Sequence, residues 1–292
     1  MKKIIVILLG LCAVVAFAEM RLDGKFNWQN QEVKKLHEGI YYYTMELTSP
    51  RIIKLAVMKI DLNNPKLRFK VTSKAELWGK SMEELPQFTI QTERESARKF
   101  MQKSLAKNEN MIAAINSSPW VPWQKPWNHR YAEIHGLVIS DGVVVSDLRK
   151  NAPSFIVRNN GDCELASLDA KADLSTIKHA VSGFEFVLQN GKITVQQNQY
   201  LAPRTGFGLS ADNKVLYWLV IDGRQENYSM GCSTDEVGEL LKFFGSDDGV
   251  NMDGGGSTTL LIRENGEIKK LNHHKNDAER SIAVTVGLIL EP

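Results

Sequence analysis

Surplus charge of either sign, cysteine, and the familiar nucleotide and metal motifs are what this sequence has least of. Its 36 Lys and Arg stand against 34 Asp and Glu in 292 residues. A polyanion-binding surface needs excess Lys and Arg to displace counterions, so nucleic acid is not expected as a partner. Three cysteines are too few for a disulfide-dense miniprotein. No G-x-G-x-x-G stands between a strand and a helix, no P-loop Lys-Ser/Thr follows the glycines, and no G-x-S-x-G or H-E-x-x-H is present. With 43% hydrophobic and 24% charged residues, the composition is that of a globular protein with a real core, not of a disordered or collagen-like chain.

One long apolar run exists, and it is N-terminal. Lys2 and Lys3 precede the uncharged stretch from Ile4 to Phe17, and Ala16-Phe17-Ala18 has the pattern a signal peptidase cuts after. The run is short for a span of about 20 residues, and Glu19, Arg21 and Asp23 follow at once. Residues 1–18 are therefore expected to be a cleaved signal peptide, placing the protein in the periplasm or outside the cell with no membrane span after processing. A lipoprotein signal at Cys12 is disfavoured by the bulky Leu11 before it. Loss of Lys2 and Lys3 leaves 34 basic groups against 34 acidic ones, and loss of Cys12 leaves Cys163 and Cys232. These two could pair in an oxidising compartment or be unpaired buried thiols.

The rest reads as one α+β domain rich in antiparallel or mixed β-sheet, with a few helices. Residues 19–39 read as a polar N-terminal arm, 40–109 as a β and helical part, and 110–292 as the core. Alternation of Tyr41, Tyr43, Met45 and Leu47, then of Leu67, Phe69 and Val71, predicts strands. An alternative is a separate small β subdomain over 40–72. Thr92-x-x-Glu95 has the form of a capping box, followed by a helical face of Ala97, Phe100, Met101 and Leu105. Asp141-Gly142, Asn160-Gly161 and Asn190-Gly191 predict hairpin turns. Val215 to Ile221 is a fully apolar strand. Ser233-x-x-Glu236 caps a helix whose apolar face is Val237, Leu240, Leu241 and Phe244, with Gly245 as its stop.

Candidate chemistry sits at strand ends. Asp253-Gly254-Gly255-Gly256-Ser257 places an acid beside bare backbone N–H groups that could cradle an anion or sugar oxygens. A tight hairpin turn would use the same residues. Asp222-Gly223-Arg224 ends the apolar strand in the same way, giving a second carboxylate. Two carboxylates are what glycosidic cleavage commonly uses. Arg204, after Pro203, offers a donor fork suited to phosphate. Asn116-Ser117-Ser118 ends a buried strand and could cap a helix or bind ligand hydroxyls. Trp120, Trp123 and Trp127, half of the six tryptophans, lie in the next stretch, where indoles serve either as sugar platforms or as anchors to the core. Ser104-x-x-Lys107 and Ser175-x-x-Lys178 match a short acyl-serine pattern but lack its partner motifs. His273-His274 reads as a surface loop, and His135 as a structural histidine.

The ordered set Ala114-Ile-Asn116, Gly136-Leu-Val-Ile-Ser-Asp-Gly142, Val181-Ser-Gly183, Pro203-Arg-Thr205, Val220-Ile-Asp-Gly-Arg224, Asn251-Met-Asp-Gly-Gly-Gly-Ser257 and Glu279-Arg280 resembles the phosphodiester glycosidase family over about residues 110 to 290. The resemblance implies hydrolysis of a sugar-1-phosphodiester, or a related cell-surface glycan, at the glycosidic C–O bond. It implies Asp253 and Asp222 as catalytic carboxylates. Asn116, Ser118, Trp120, Arg204, Arg224, Gly254, Gly255, Gly256, Ser257 and Arg280 are the expected substrate-binding residues. No cofactor is implied, and a divalent metal is left open. The chain departs from the family where Ser117-Ser118-Pro119-Trp120 stands in place of two glycines and an aromatic, in a loop expected to line the sugar pocket. Three other readings remain: a non-catalytic carbohydrate-binding protein, an exopolysaccharide-assembly protein on the same scaffold, and a serine acyltransferase using Ser104 or Ser175. Convergence of Arg204, Asp222 and Asp253 in one cleft would favour the hydrolase.

Overall fold

The computed structural model describes residues 20, 22–123, 128–148, 152–276 and 279–292. The expected signal peptide and Trp127 lie outside them. Among the described residues no helix is long and apolar enough to cross a membrane.

The largest sheet has eight strands, in the order Lys34–His37, Ile40–Leu47, Ile53–Asp61, Val215–Ile221, Arg204–Leu209, Asp248–Asn251, Glu185–Gln189 and Lys192–Ile193. A second sheet runs Glu267–Lys270, Leu260–Glu264, Met111–Asn116, Thr285–Leu290 and Leu67–Val71. A third runs Val143–Ser146, Val138–Ser140, Ile177–Ser182, Pro153–Arg158 and Cys163–Ser167. Thr92–Glu93, Tyr131–Ile134 and Trp120–Val121 form a small fourth. Ile53–Asp61 pairs along its length with Val215–Ile221, and Leu67–Val71 with Thr285–Leu290. Residues 40–72 therefore belong to the same domain as the C-terminal half, and no separate β subdomain exists.

The apolar strand Val215–Ile221 sits mid-sheet with both faces covered. Leu216, Trp218 and Val220 enter the core between the large sheet and the two five-stranded sheets. Tyr217, Leu219 and Ile221 point the other way, onto helix α2 (Thr234–Phe244). A period of two with both faces apolar is why the run shows no polar interruption. The α2 helix begins at the predicted Ser233 capping box and stops at left-handed Gly245, φ 116°. Its Val237, Leu240, Leu241 and Phe244 form the buried stripe. Helix α1 (Ala97–Leu105) covers the second sheet with Ala97, Phe100 and Met101.

Some local expectations hold and one is corrected. Thr92-x-x-Glu95 is not a capping box: Thr92 and Glu93 pair with Ala132 and Tyr131, and the helix starts at Ala97 behind Ser96, whose Oγ accepts from the Lys99 amide at 3.2 Å. Asp141-Gly142 and Asn190-Gly191 are two-residue turns with both residues left-handed. Asn265-Gly266, not singled out above, makes a third of the same kind. The polar arm is docked: Phe26 N donates to Phe243 O and Trp28 Nε1 to Phe244 O, both at 2.8 Å. Cys163 and Cys232 are free and buried, and burial pushes the Cys163 thiol up to about 12.

Candidate active site

The polar residues that end strands in the sequence meet at one end of the molecule. Asp222 follows Val215–Ile221, and the neighbouring strand begins at Arg204, paired with Ile221. Asp248–Asn251 ends beside them, pairing Asn251 with Gly206. Met111–Asn116, from the second sheet, ends at the same place. The Asp253–Ser257 segment is not a hairpin. It crosses from Asp248–Asn251 in the large sheet to Leu260–Glu264 in the second sheet, and Gly255–Ser257 turn as a short 3-10 segment.

Backbone bonds stitch this crossing to both sheets. Met252 N donates to Thr205 O, Asp253 N to Ser117 O and Gly255 N to Pro203 O, each at 2.8 Å. Asn116 completes the seam. Its Nδ2 donates to the Asp253 carbonyl at 2.6 Å, and its Oδ1 accepts from Thr205 Oγ1 at 2.8 Å and Thr259 N at 3.0 Å. The residue is buried, and its amide is committed to holding three segments together.

Both carboxylates lie just beneath the surface, 5% exposed for Asp222 and 7% for Asp253. Burial pushes each up to about 6 from an ordinary 3.8. The Asp253 charge is partly supported by the Ser257 hydroxyl, the Arg280 guanidinium, the Gly254 amide and the Trp120 indole N–H. That indole N–H has no hydrogen bond of normal geometry, so its support is weak. Asp222 Oδ1 accepts the His273 amide at 2.8 Å, with Asn272 and Tyr228 adding support.

Above the carboxylates lies a cleft of about 440 Å³ lined by Gly223, Arg224, Gly255, Gly256, His274 and Arg280, among others. The glycines let guanidinium groups lie directly on the loop backbone. Gly255 has φ +61°, and a Cβ there would stand 3.2 Å from Arg224 Nη1. A Cβ on Gly256 would stand 2.5 Å from Arg280 Nη2. Neither Arg224 nor Arg280 has a carboxylate within ion-pair distance among the described residues. Arg204 stands at the rear, its Nε donating to Cys232 O at 3.0 Å and Nη2 to Tyr200 O at 2.9 Å. It too lacks an ion pair among the described residues, though Glu185 is near.

Of the expected site residues, Arg224, Gly255, Gly256 and Arg280 line the cleft. Arg204, Asp222 and Asp253 are not among its lining residues, so they do not converge in one cleft as expected, although Pro203, Gly223 and Gly255, adjoining or near them in sequence, do line it. Ser118 and Trp120 are buried behind Asp253, at 1% and 2% exposure. The Trp120 ring carries the Arg94 guanidinium at 4.3 Å, so its position is that of an anchor. Sequence reasoning missed four neighbours. His273 and His274 lie in a surface loop, as expected, but that loop lines the cleft; His274 Nε2 lies 2.7 Å from Thr258 O. Arg94, lowered to about 10 by burial and by Arg280, backs Trp120. Tyr200 holds Arg204 and Arg224. The doubled histidine was the one local signal; the others are joined to the site only by long-range contacts.

The acyl-serine pattern gains nothing from the structure. Ser104 is buried and donates to Glu109, and Ser175 bonds Asp173 in an exposed turn. A larger cleft of about 650 Å³ lies at the opposite end of Val215–Ile221, around Asn63, Arg68, Arg158 and Lys214, without buried carboxylates.

Residues 109–289 match the family model described as phosphodiester glycosidase. No curated protein matches the chain. Among solved structures, the zebrafish N-acetylglucosamine-1-phosphodiester alpha-N-acetylglucosaminidase catalytic domain, auto-inhibited by its pro-peptide, is similar with a TM-score of 0.60 and 17% identity, over 92% of this chain and 86% of that one. A hypothetical protein from Synechocystis is similar with a TM-score of 0.55 and 11% identity, over 87% of this chain and 62% of that one. A Burkholderia pseudomallei K96243 protein described as exported is similar with a TM-score of 0.56 and 12% identity, over 82% and 74%.

Proposed function

Because the chain belongs to the phosphodiester glycosidase family, we propose that it is an exported hydrolase that cleaves the glycosidic C–O bond of a sugar-1-phosphodiester. The observation that carries this reading is the loop itself. It holds a buried carboxylate below, and bare glycine backbone between two guanidinium groups above, neither with a carboxylate in ion-pair reach among the described residues. Guanidinium groups without an ion pair among the described residues, lying on glycine backbone, suit a bound anion.

The chemistry follows from charge. A phosphodiester leaving group is a weak base and needs little protonation, so Arg224 and Arg280, with Arg204 behind, can stabilise its developing charge in place of a general acid. The sugar centre then needs a carboxylate to activate water or to face the oxocarbenium-like transition state. Asp253 takes that role and Asp222 is the second carboxylate. Near pH 7 both are mainly ionised, as the role requires. Export rests on the N-terminal leader of residues 1–18, and fits the description of the Burkholderia neighbour.

The test is hydrolysis of a panel of sugar-1-phosphodiesters by residues 19–292 in ¹⁸O-labelled water. Free sugar together with an unlabelled phosphomonoester is expected. Label in the phosphomonoester, whether it is the sugar phosphate or the phosphate of the other product, would mean P–O cleavage and overturn the reading.

A further inference from the structure

The cleft at the opposite end of Val215–Ile221, about 650 Å³, is larger than the catalytic one and differs from it in charge. Arg224, Lys275 and Arg280 line the catalytic cleft, with Glu279 as the one acid among its described lining residues. In the distal cleft Arg68, Arg158 and Lys214 stand against Asp162, Glu164 and Asp212, and Asn63, Asn64, Asn160 and Asn213 place amides between them. A charge-balanced lining has no net field to attract an anion. It suits a neutral ligand with many hydroxyls. The polar groups are fixed before any ligand arrives. Glu164 Oε1 accepts from both Arg158 Nε and Nη2, and Asp212 Oδ1 accepts from Ser210 Oγ at 2.6 Å and the Lys214 amide at 3.0 Å, so each acid offers its second oxygen. Among the described residues the Asn213 side chain has no hydrogen bond and Lys214 Nζ no ion pair. Groups held in this way bind with little ordering cost.

The cleft continues into a pocket of about 320 Å³ that shares Leu62, Leu67, Arg68 and Arg158 and adds Phe69, Lys178 and His179. Lys178 is matched in charge by Glu291, which pairs with Arg68 at 2.9 Å. Phe69 is partly buried and stands edge-on to Phe155, ring centroids 5.5 Å apart, which fixes an apolar surface for the C–H face of a sugar. His179 is 3% exposed. Its Nδ1 accepts the Asp141 amide at 3.2 Å, which leaves the proton on Nε2. That Nε2 has no hydrogen-bond acceptor among the described residues, the Asp141 carboxylate lying 3.7 Å away. Burial pushes the imidazole down to about 4, so near pH 7 it is neutral and a single donor. A buried donor without an acceptor is costly, and a ligand hydroxyl reaching it removes the cost.

We propose that the distal cleft is a second carbohydrate-binding site, taking a neutral, phosphate-free oligosaccharide. Phosphate is met at one end of the large sheet, where the lining is cationic, and uncharged sugar at the other, where the charges balance. A glycan chain held in the distal cleft keeps the protein beside its polymer, whichever bond the catalytic cleft breaks.

Residues 19–292 are titrated by calorimetry with cello-, malto-, chito- and xylo-oligosaccharides and, separately, with inorganic phosphate. The double variant Asn213→Gly, Lys214→Ala removes two exposed side chains and keeps the left-handed backbone at 213, φ 55°. At least one oligosaccharide is expected to bind wild type and Arg280→Ala alike, and to bind the double variant about tenfold more weakly. The double variant should keep the wild-type kcat/KM on a methyl sugar-1-phosphodiester. In ¹⁵N-labelled wild type the same titration should shift the His179 ring resonances, a readout that needs no substitution. Failure of all these sugars to bind, or an unmoved His179 at saturating sugar, would overturn the site. So would sugar binding that is lost in Arg280→Ala and kept in the double variant, or phosphate binding that the double variant loses. Sugar binding at the distal cleft without any hydrolysis would overturn the hydrolase reading and leave the site standing.

Discussion

Asp253 and Asp222 are held in a state the fold does not favour. Their carboxyls are raised to about 6 by burial. The folded state therefore binds more protons than the unfolded one between pH 4 and 6, and stability falls as pH rises through that window. Above it, each ionised carboxylate costs on the order of 3 kcal/mol. Activity runs the opposite way, since the reactive form is ionised. In the expected profile kcat/KM rises from pH 5 to 7 with an apparent midpoint near 6, and a midpoint near 4 would contradict it. Asp253→Asn should lower kcat by about a thousandfold or more while raising the melting temperature at pH 7. Full activity in a folded Asp253→Asn protein would remove Asp253 from the mechanism. Trp120→Phe keeps the ring under Arg94 and removes the N–H near Asp253, so the acidic limb should move upward; an unmoved limb would show the indole has no electrostatic part. The two aspartates were legible because each stands just past a strand and precedes glycine. Arg94 was not, since nothing in its local sequence points to Trp120, 26 residues on.

At the level of elements, the crossing segment shows that its three glycines do different work. A Cβ at Gly254 would stand 2.7 Å from the Pro203 carbonyl oxygen, which is backbone and itself bonded to Gly255 N. At Gly256 the obstacle is the end of a flexible arginine. Gly254→Ala should destabilise the protein by about 1–3 kcal/mol. Gly256→Ala should cost less than about 1 kcal/mol, yet raise KM by pushing Arg280 off the loop. Thermal melts and KM for one phosphodiester separate the two outcomes; a Gly256→Ala protein with unchanged KM would remove Arg280 from phosphate binding. The sequence could show that the glycines mattered, but not that they joined two sheets, because a hairpin and a crossing share the same local signal. The same limit explains the misplaced start of α1. Thr92 looked like a cap, but its backbone is used by Ala132, a pairing no short-range pattern reveals. Ser233 was read correctly because both halves of its box are local.

For the molecule as a whole, the site depends on keeping two sheets in register at one end, and Asn116 is the side chain that spans them. It bonds Thr205 in the large sheet, Thr259 at the edge of the second, and the carbonyl of Asp253 in the crossing between them. The sequence marked Asn116 as polar at a strand end and, through the family resemblance, as a ligand for substrate. The structure uses its amide as internal joinery. These roles separate experimentally. Asn116→Ala leaves a buried hydroxyl, amide and carbonyl short of partners, so it should destabilise the fold by about 2–4 kcal/mol. A chain of this size should then melt roughly 5–15 °C lower. Activity should fall through kcat, because Asp253 shifts with its carbonyl, more than through KM. A direct ligand would give the reverse: a raised KM, an unchanged melt and a preserved kcat. Measuring the melt and both kinetic constants on the same preparation decides between them, and an unchanged melting temperature would show that the sheets are held together without Asn116.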